Sequence, residues 1–391
     1  MGEAVFSTTA RRCADGAQGM RVKRVVAMAW WAASALMLVA AAVRPASAES
    51  TTERSSSILI FPKVIYNASR DTVIQISNTS NSMAHAHCFY VNATPLCLGS
   101  GDCLAGTCSG KCEEQWQEVD FDIWLTKQQP THWTASLGRF TNPNDEPCDR
   151  NTGNYDCDSA GLDPGRVPPV SSFPFQGELR CFEVDQSGAP ISGNHLKGEA
   201  TLVTTDGQAT KYNAVGLLGE PFTNNGDNIL CLGGGVSDDC PSGAEYEGCG
   251  ARDLLTHFSG GADNPLFGPT STVETEVTLV PCRANYETQV PTKVTVQFLV
   301  FNEFENRFST SLQFECWSSF VLSDIANVFN VLVTNTRFAQ TQMRPSDVSS
   351  GLVGVVEEYH TVEGATSRVA FNLHEQGERA TTDLIFIPEG P

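Results

Sequence analysis

The chain lacks the short signatures that announce most catalytic sites. Neither Gly-x-Ser-x-Gly nor His-Glu-x-x-His occurs, and His374-Glu375 runs into Gln376-Gly377-Glu378 where a second histidine would be needed. Gly233-Gly234-Gly235 leads into Val236-Ser237-Asp238 rather than Lys-Ser/Thr and a helix, which excludes that type of phosphate loop. No Cys-x-x-Cys is present, so zinc ribbons and thioredoxin-like redox pairs lose their usual spacing. Helical periodicity is nearly missing; residues 253–257 offer at most one turn. Basic residues are scarce, 25 Lys and Arg against 45 Asp and Glu for a net charge of −20, which opposes nucleic acid and anionic membranes as partners. Past residue 48 no uninterrupted apolar run exceeds four residues, as at residues 298–301, against about 20 for a membrane-spanning helix.

What is present begins with a leader. Met20-Arg21-Val22-Lys23-Arg24 is basic, residues 25–43 are apolar, and Ala46-Ser47-Ala48 is a small-residue cleavage site. Residues 1–48 therefore read as a signal peptide, with Met20 an alternative start. Their apolar stretch is also long enough to stay as an N-terminal anchor. Removing them takes six basic and two acidic side chains and leaves 19 Lys and Arg against 43 Asp and Glu, a net charge near −24. The expected location is outside the cytoplasm: secreted, periplasmic or on the cell surface.

Export fits the cysteines. Thirteen follow the leader: Cys88, Cys97, Cys103, Cys108, Cys112, Cys148, Cys157, Cys181, Cys231, Cys240, Cys249, Cys282 and Cys316. In an oxidising compartment they read as disulfide candidates, and the odd count leaves one over. His87-Cys88-Phe89-Tyr90-Val91 and Arg180-Cys181-Phe182-Glu183-Val184 share Cys-Phe-x-Val, which suggests paired strands with a Cys88–Cys181 bridge, although spacing alone does not fix connectivity. Cys148 and Cys157 suggest a local staple.

Short β-branched and aromatic runs dominate the remainder, separated by Gly, Pro and Asn breaks. Val119, Phe121, Ile123 and Leu125 alternate with polar residues and Trp124, the period of a half-buried strand. The pattern predicts an all-β protein of two antiparallel, immunoglobulin-like β-sandwich domains with long disulfide-stapled loops. A polar linker at 49–57 precedes domains at 58–222 and 223–391. Loops at 97–112, 142–169 and 223–250 carry most of the cysteines.

Several segments together, Arg70-Asp71-Thr72-Val73-Ile74-Gln75-Ile76 with His87-Cys88-Phe89-Tyr90-Val91, Phe175-Gln176-Gly177-Glu178-Leu179-Arg180-Cys181, and Val294-Thr295-Val296-Gln297-Phe298 with Phe301-Asn302-Glu303-Phe304-Glu305, resemble uncharacterised exported bacterial β-sandwich proteins of unknown function. The resemblance implies export and no activity.

Two metal sites are conceivable. On a strand, His85 and His87 face the same way, about 7 Å apart, and suit copper or zinc, while Cys88 points to the other face. The commoner reading places both histidines on a polar sheet face. Asn154, Asp156 and Asp158 alternate oxygen ligands as calcium loops do, which makes calcium a candidate cofactor. Ser159 and Gly165 stand where an EF-hand needs its glycine and its glutamate. Acid pairs such as Asp120/Asp122 or Glu303/Glu305 suit glycoside hydrolysis only if they flank a cleft. Trp116, Trp124 and Trp133 offer sugar or protein contacts, although core packing weighs more.

The expectation is a non-catalytic secreted or cell-envelope binding or structural protein for a protein or carbohydrate ligand. It has no nucleic-acid partner and no membrane span beyond the leader. The alternatives are a secreted hydrolase built on loop carboxylates and a calcium- or copper-binding exported protein.

Overall fold

A computed structural model describes residues 51–93, 96–97, 112–113, 117–139, 166–347 and 349–388, and these described residues form one compact unit. The chain opens with β1 (Ile58–Tyr66), β2 (Arg70–Asn78), β3 (Ala84–Asn92), β4 (Leu96–Cys97), β5 (Cys112–Glu113), β6 (Gln117–Leu125) and β7 (Pro130–Thr134). It continues through β8 (Phe175–Val184), β9 (Leu196–Thr204), β10 (Ala209–Asn213), β11 (Val215–Leu217), β12 (Ile229–Leu232), β13 (Asp253–Phe258), β14 (Ser271–Pro281) and β15 (Ala284–Asn285). The last strands are β16 (Lys293–Asn302), β17 (Arg307–Glu315), β18 (Ser318–Val321), β19 (Phe338–Pro345), β20 (Leu352–Val362), β21 (Ala365–Asn372), β22 (His374–Glu375) and β23 (Asp383–Phe386). Helix among the described residues amounts to short turns such as Leu322–Ile325 and Val331–Thr334. Residues 253–257 are strand rather than helix. Six residues of β13 pair with β19, and their burial alternates with the period of a sheet.

Five sheets carry the architecture, ordered β11-β1-β8-β3-β6, β10-β9-β2-β7, β12-β23-β15, β17-β16-β19-β13-β22 and β18-β14-β20-β21. They form a five-bladed β-propeller of small sheets rather than two immunoglobulin-like sandwich domains, which corrects the expectation drawn from strand spacing. The blades are assembled from strands distant in sequence. The Cys88–Cys181 bridge ties β3 to its immediate neighbour β8 at directly opposed positions, whereas the immunoglobulin bridge spans two sheets. The third sheet collects β12, β15 and β23 from separate parts of the chain. Regular strand lengths and turns are shared by sandwiches and propellers; pairing order, which separates them, is not written in local periodicity.

Three apolar cores hold the blades together. The first joins Phe61, Ile74, Tyr90, Ile123, Trp133 and Leu202 between the first two sheets. The second covers the other face of the first sheet, where Phe89, Phe182 and Val184 meet Leu230, Tyr286 and Ile385. The third packs Val296, Phe298 and Met343 against Val277, Leu279 and Val356. Each such side chain contributes about 1.5–3 kcal/mol on burial.

Where β1 meets β14 and β20, charge is buried with its partners. Lys63, 0% exposed, places Nζ 2.9 Å from Glu276 Oε1 and 2.6 Å from Glu357 Oε2. Arg70 binds the other oxygen of Glu357 at 2.5 Å, and Ser319 and Tyr359 donate to Glu276. Burial pushes the Glu276 carboxyl up, but the Lys63 ammonium and these donors outweigh it and bring it down to about 2. Nearby, the Trp317 indole donates to the Pro62 carbonyl at 2.6 Å. Arg180 reaches the Pro281 and Cys282 carbonyls, 2.6 Å each, while pairing with Glu178 at 2.9 Å.

Two further disulfides, Cys231–Cys240 and Cys249–Cys282, complete the three among the described residues. Cys316 is buried. The backbone of β4 sets Cys97 opposite Cys112 of β5, while Cys103, Cys108, Cys148 and Cys157 lie outside the described residues. Two glycines of the triplet serve close approach. A Cβ on Gly233 would sit 2.2 Å from the Ala380 carbonyl oxygen and one on Gly234 2.0 Å from that of Thr381, with φ of 63° and 79°.

Candidate functional site

A groove of about 560 Å³ lies on the outer face of the fourth sheet. Strand alternation builds it. Val296, Phe298 and Val300 of β16 point into the core, so Gln297 and Leu299 point out. Register then fixes their neighbours. Gln297 stands between Ser311 of β17 and Arg344 of β19, and Leu299 between Ser309 and Gln342. Arg252, just before β13, closes one side. The result is a half-apolar floor at Leu299 ringed by hydroxyl, amide and guanidinium groups on paired strands.

Charge on this face runs against the composition of the chain. Arg344 Nε donates to Gln297 Oε1 at 3.2 Å, which orients the guanidinium, and the side chain is exposed. Arg252 pairs with Glu378 at 3.0 Å, and Lys293 with Glu315 at 2.9 Å. Arg344 and Arg307, both on the outer face, form no ion pair with a described carboxylate. Among the described residues, no carboxylate, histidine or cysteine lines the groove.

Two buried titratable groups lie under the same sheet. Burial drives His257 down to about 4, and its ring nitrogens meet the Thr341 hydroxyl at 2.8 Å and the Phe258 carbonyl at 2.7 Å. Burial, reinforced by Glu375, raises the Asp253 carboxyl well above the usual range. A smaller concavity of about 250 Å³ lies on the outer face of the second sheet, lined by Gln75, Ser77, Thr131, His132, Lys197 and Glu199.

The residues singled out from the sequence fall elsewhere. His85 and His87 share a face of β3, and Cys88 turns into the opposite core. Each histidine meets a carboxylate across the strand pair: His85 Nε2 lies 2.7 Å from Asp122 and His87 Nε2 3.4 Å from Asp120. The hydrogen bond from His87 lowers Asp120, and that from His85 lowers Asp122 against its burial. His85 Nδ1 also faces the Asp185 carbonyl at 2.8 Å, and its ring stacks 3.8 Å from Trp124. Both ring nitrogens of His85 are thus engaged by protein oxygens. No group of three or more metal-ligating side chains occurs among the described residues. Asn154, Asp156 and Asp158, the calcium candidates, lie outside the described residues, as does Trp116. Glu303 and Glu305 sit exposed on the β16–β17 turn. Trp133 is core and donates to the Tyr90 hydroxyl at 2.5 Å.

Sequence reasoning passed over the groove residues. Their signal was the alternation of Val294, Val296 and Phe298 with Thr295 and Gln297, and of Phe308 and Leu312 with Ser309, Ser311 and Gln313. That pattern marks an outward polar face without showing that the face is concave. No family model matches the chain, and no curated protein matches it. No helix among the described residues is long and apolar enough to cross a membrane.

Proposed function

We propose that this chain is an exported, non-catalytic binding module whose ligand lies in the groove over Gln297, Leu299, Ser309, Ser311, Gln342 and Arg344. The observation that carries this reading is the convergence of five hydrogen-bonding side chains around Leu299 on a concavity of about 560 Å³, within the usual range of ligand sites. All of them stand on strands of one sheet rather than on loops, so their spacing is set before a ligand arrives. The lining lacks a carboxylate, histidine or thiol to move a proton or attack a bond, which favours binding over hydrolysis. The leader-like start and the three disulfides support export.

The direct test is a saccharide array probed with the wild-type protein and a Gln297→Ala/Gln342→Ala variant of equal thermal stability. Each amide supplies about 0.5–1.5 kcal/mol in net hydrogen bonding, so the pair is expected to weaken binding on the order of tenfold or more. Saccharide binding left unchanged by the double substitution places the ligand elsewhere and removes this reading.

A further inference from the structure

Resting on the binding role above, we infer that the occupant of the groove is a hydroxyl-rich saccharide carrying isolated anionic groups, carboxylate or sulfate, which Arg344 recognises.

The chain carries 45 acidic against 25 basic residues, so a cation on its surface meets a carboxylate by default, and several do. Arg252, Lys293 and Arg337 are each paired, with Glu378, Glu315 and Asp263. Arg344 is not, although it projects from the middle of the sheet over the groove. The Gln297 carbonyl takes its Nε and leaves the terminal nitrogens for an outside acceptor. A planar guanidinium held this way suits bidentate capture of a carboxylate or sulfate. Arg307, exposed on the same face outside the groove lining, is a second cation without an ion pair to a described carboxylate. Register places it two strands and four residues from Arg344, about 16 Å away on ideal strand spacing.

The remainder of the lining selects a sugar over a peptide. Hydroxyls and amides both donate and accept, as the hydroxyl groups of a saccharide do. Extended peptides, by contrast, are usually taken at a free sheet edge through main-chain hydrogen bonds; β17 is such an edge, but the groove is lined by side chains on the face of β17, β16 and β19, the latter two interior strands. Among the described residues no exposed aromatic side chain lines the groove, so stacking of a neutral sugar ring on an aromatic plane has no platform there. The acidity of the whole chain sets the density of charge it tolerates. Beyond about 8 Å that repulsion is screened at physiological ionic strength, so spaced anionic groups are accepted where a continuous polyanion is opposed.

The experiment measures affinity calorimetrically for dextran, sparsely carboxymethylated dextran, sparsely sulfated dextran and poly-glutamate. Wild-type protein is compared with Arg344→Ala and Arg344→Lys, each checked for an unchanged melting temperature. The expected result is binding of one or both charged dextrans in preference to dextran. Arg344→Ala is expected to weaken it at least tenfold and flatten its salt dependence, with only partial recovery in Arg344→Lys. Preference for the carboxymethyl or the sulfate polymer identifies the anion. Equal binding of neutral dextran, insensitive to Arg344→Ala but lost in Gln297→Ala/Gln342→Ala, overturns the anionic class and leaves the groove reading intact. Poly-glutamate binding as tightly as the charged dextrans overturns the saccharide class. No binding to either charged dextran overturns the inference, while the saccharide array decides the groove reading separately.

Discussion

Lys63, His257 and Glu276 show how single side chains set the acid limit of the protein. Glu276 is held near 2 in the folded state against an ordinary value of 4.5. The unfolded chain therefore binds the extra proton first as pH falls. The stabilisation is complete above about 4.5 and is lost on the way down to about 2, on the order of 3 kcal/mol in total. His257 acts in the window above. Its folded value near 4 lies below the ordinary 6.5, so protonation favours the unfolded state as pH drops from 6.5 to 4. Asp383 has the opposite sign: burial raises it to about 6, and it gains stability as pH falls from 6 to about 3.8. The expected outcome for His257→Gln, measured by urea unfolding at pH 7.5 and 4.5, is a smaller loss of stability on acidification than wild type, by about 2–3 kcal/mol. An identical pH dependence in variant and wild type would falsify the assignment of that loss to His257. Lys63 marks a limit of reading such residues from sequence. It sits beside Ile58-Leu59-Ile60-Phe61, and only partners more than two hundred residues away explain its burial.

Strands were largely legible, and the order in which they pair was not. The alternation of Val119, Phe121, Ile123 and Leu125 read as a half-buried strand, and Phe121, Ile123 and Leu125 of β6 are buried. The shared Cys-Phe-x-Val segments became β3 and β8, with Cys88 directly opposite Cys181. Local pattern has no term for the third sheet, whose strands of two and four residues are defined by one another. Nor does it show that β13, bounded by glycines and suggestive of a helical turn, completes β19. The Cys88–Cys181 bridge closes a loop of 93 residues, for which chain entropy gives roughly 4–5 kcal/mol. Cys88→Ala/Cys181→Ala is therefore expected to lower unfolding free energy by about 2–5 kcal/mol in denaturant titration. A change below about 1 kcal/mol would mean that the strand ladder alone holds this pair.

Across the whole molecule, buried polar contacts join strands that the sequence spacing had assigned to separate domains. Lys63 holds Glu276 and Glu357, Trp317 binds Pro62, and Arg180 binds the carbonyls before β15. Removing one member of a buried pair leaves the other charge uncompensated, a cost of about 3–5 kcal/mol. Wild type is expected to unfold in a single calorimetric transition, and Glu357→Gln to lower that transition without splitting it. Two resolved wild-type transitions would show that these contacts do not couple the blades. One more junction has a different consequence. Asn372 of β21 donates to the Asn213 carbonyl at 2.7 Å and accepts from the Asn213 amide at 3.1 Å, and Gln208 donates to the Thr366 carbonyl at 2.7 Å. Side-chain amides here stand in for a neighbouring backbone, so the edge strands of two sheets shield each other without fusing into one ladder. A protein built almost entirely from short strands thereby withdraws two of its open edges from the intermolecular pairing that begins aggregation.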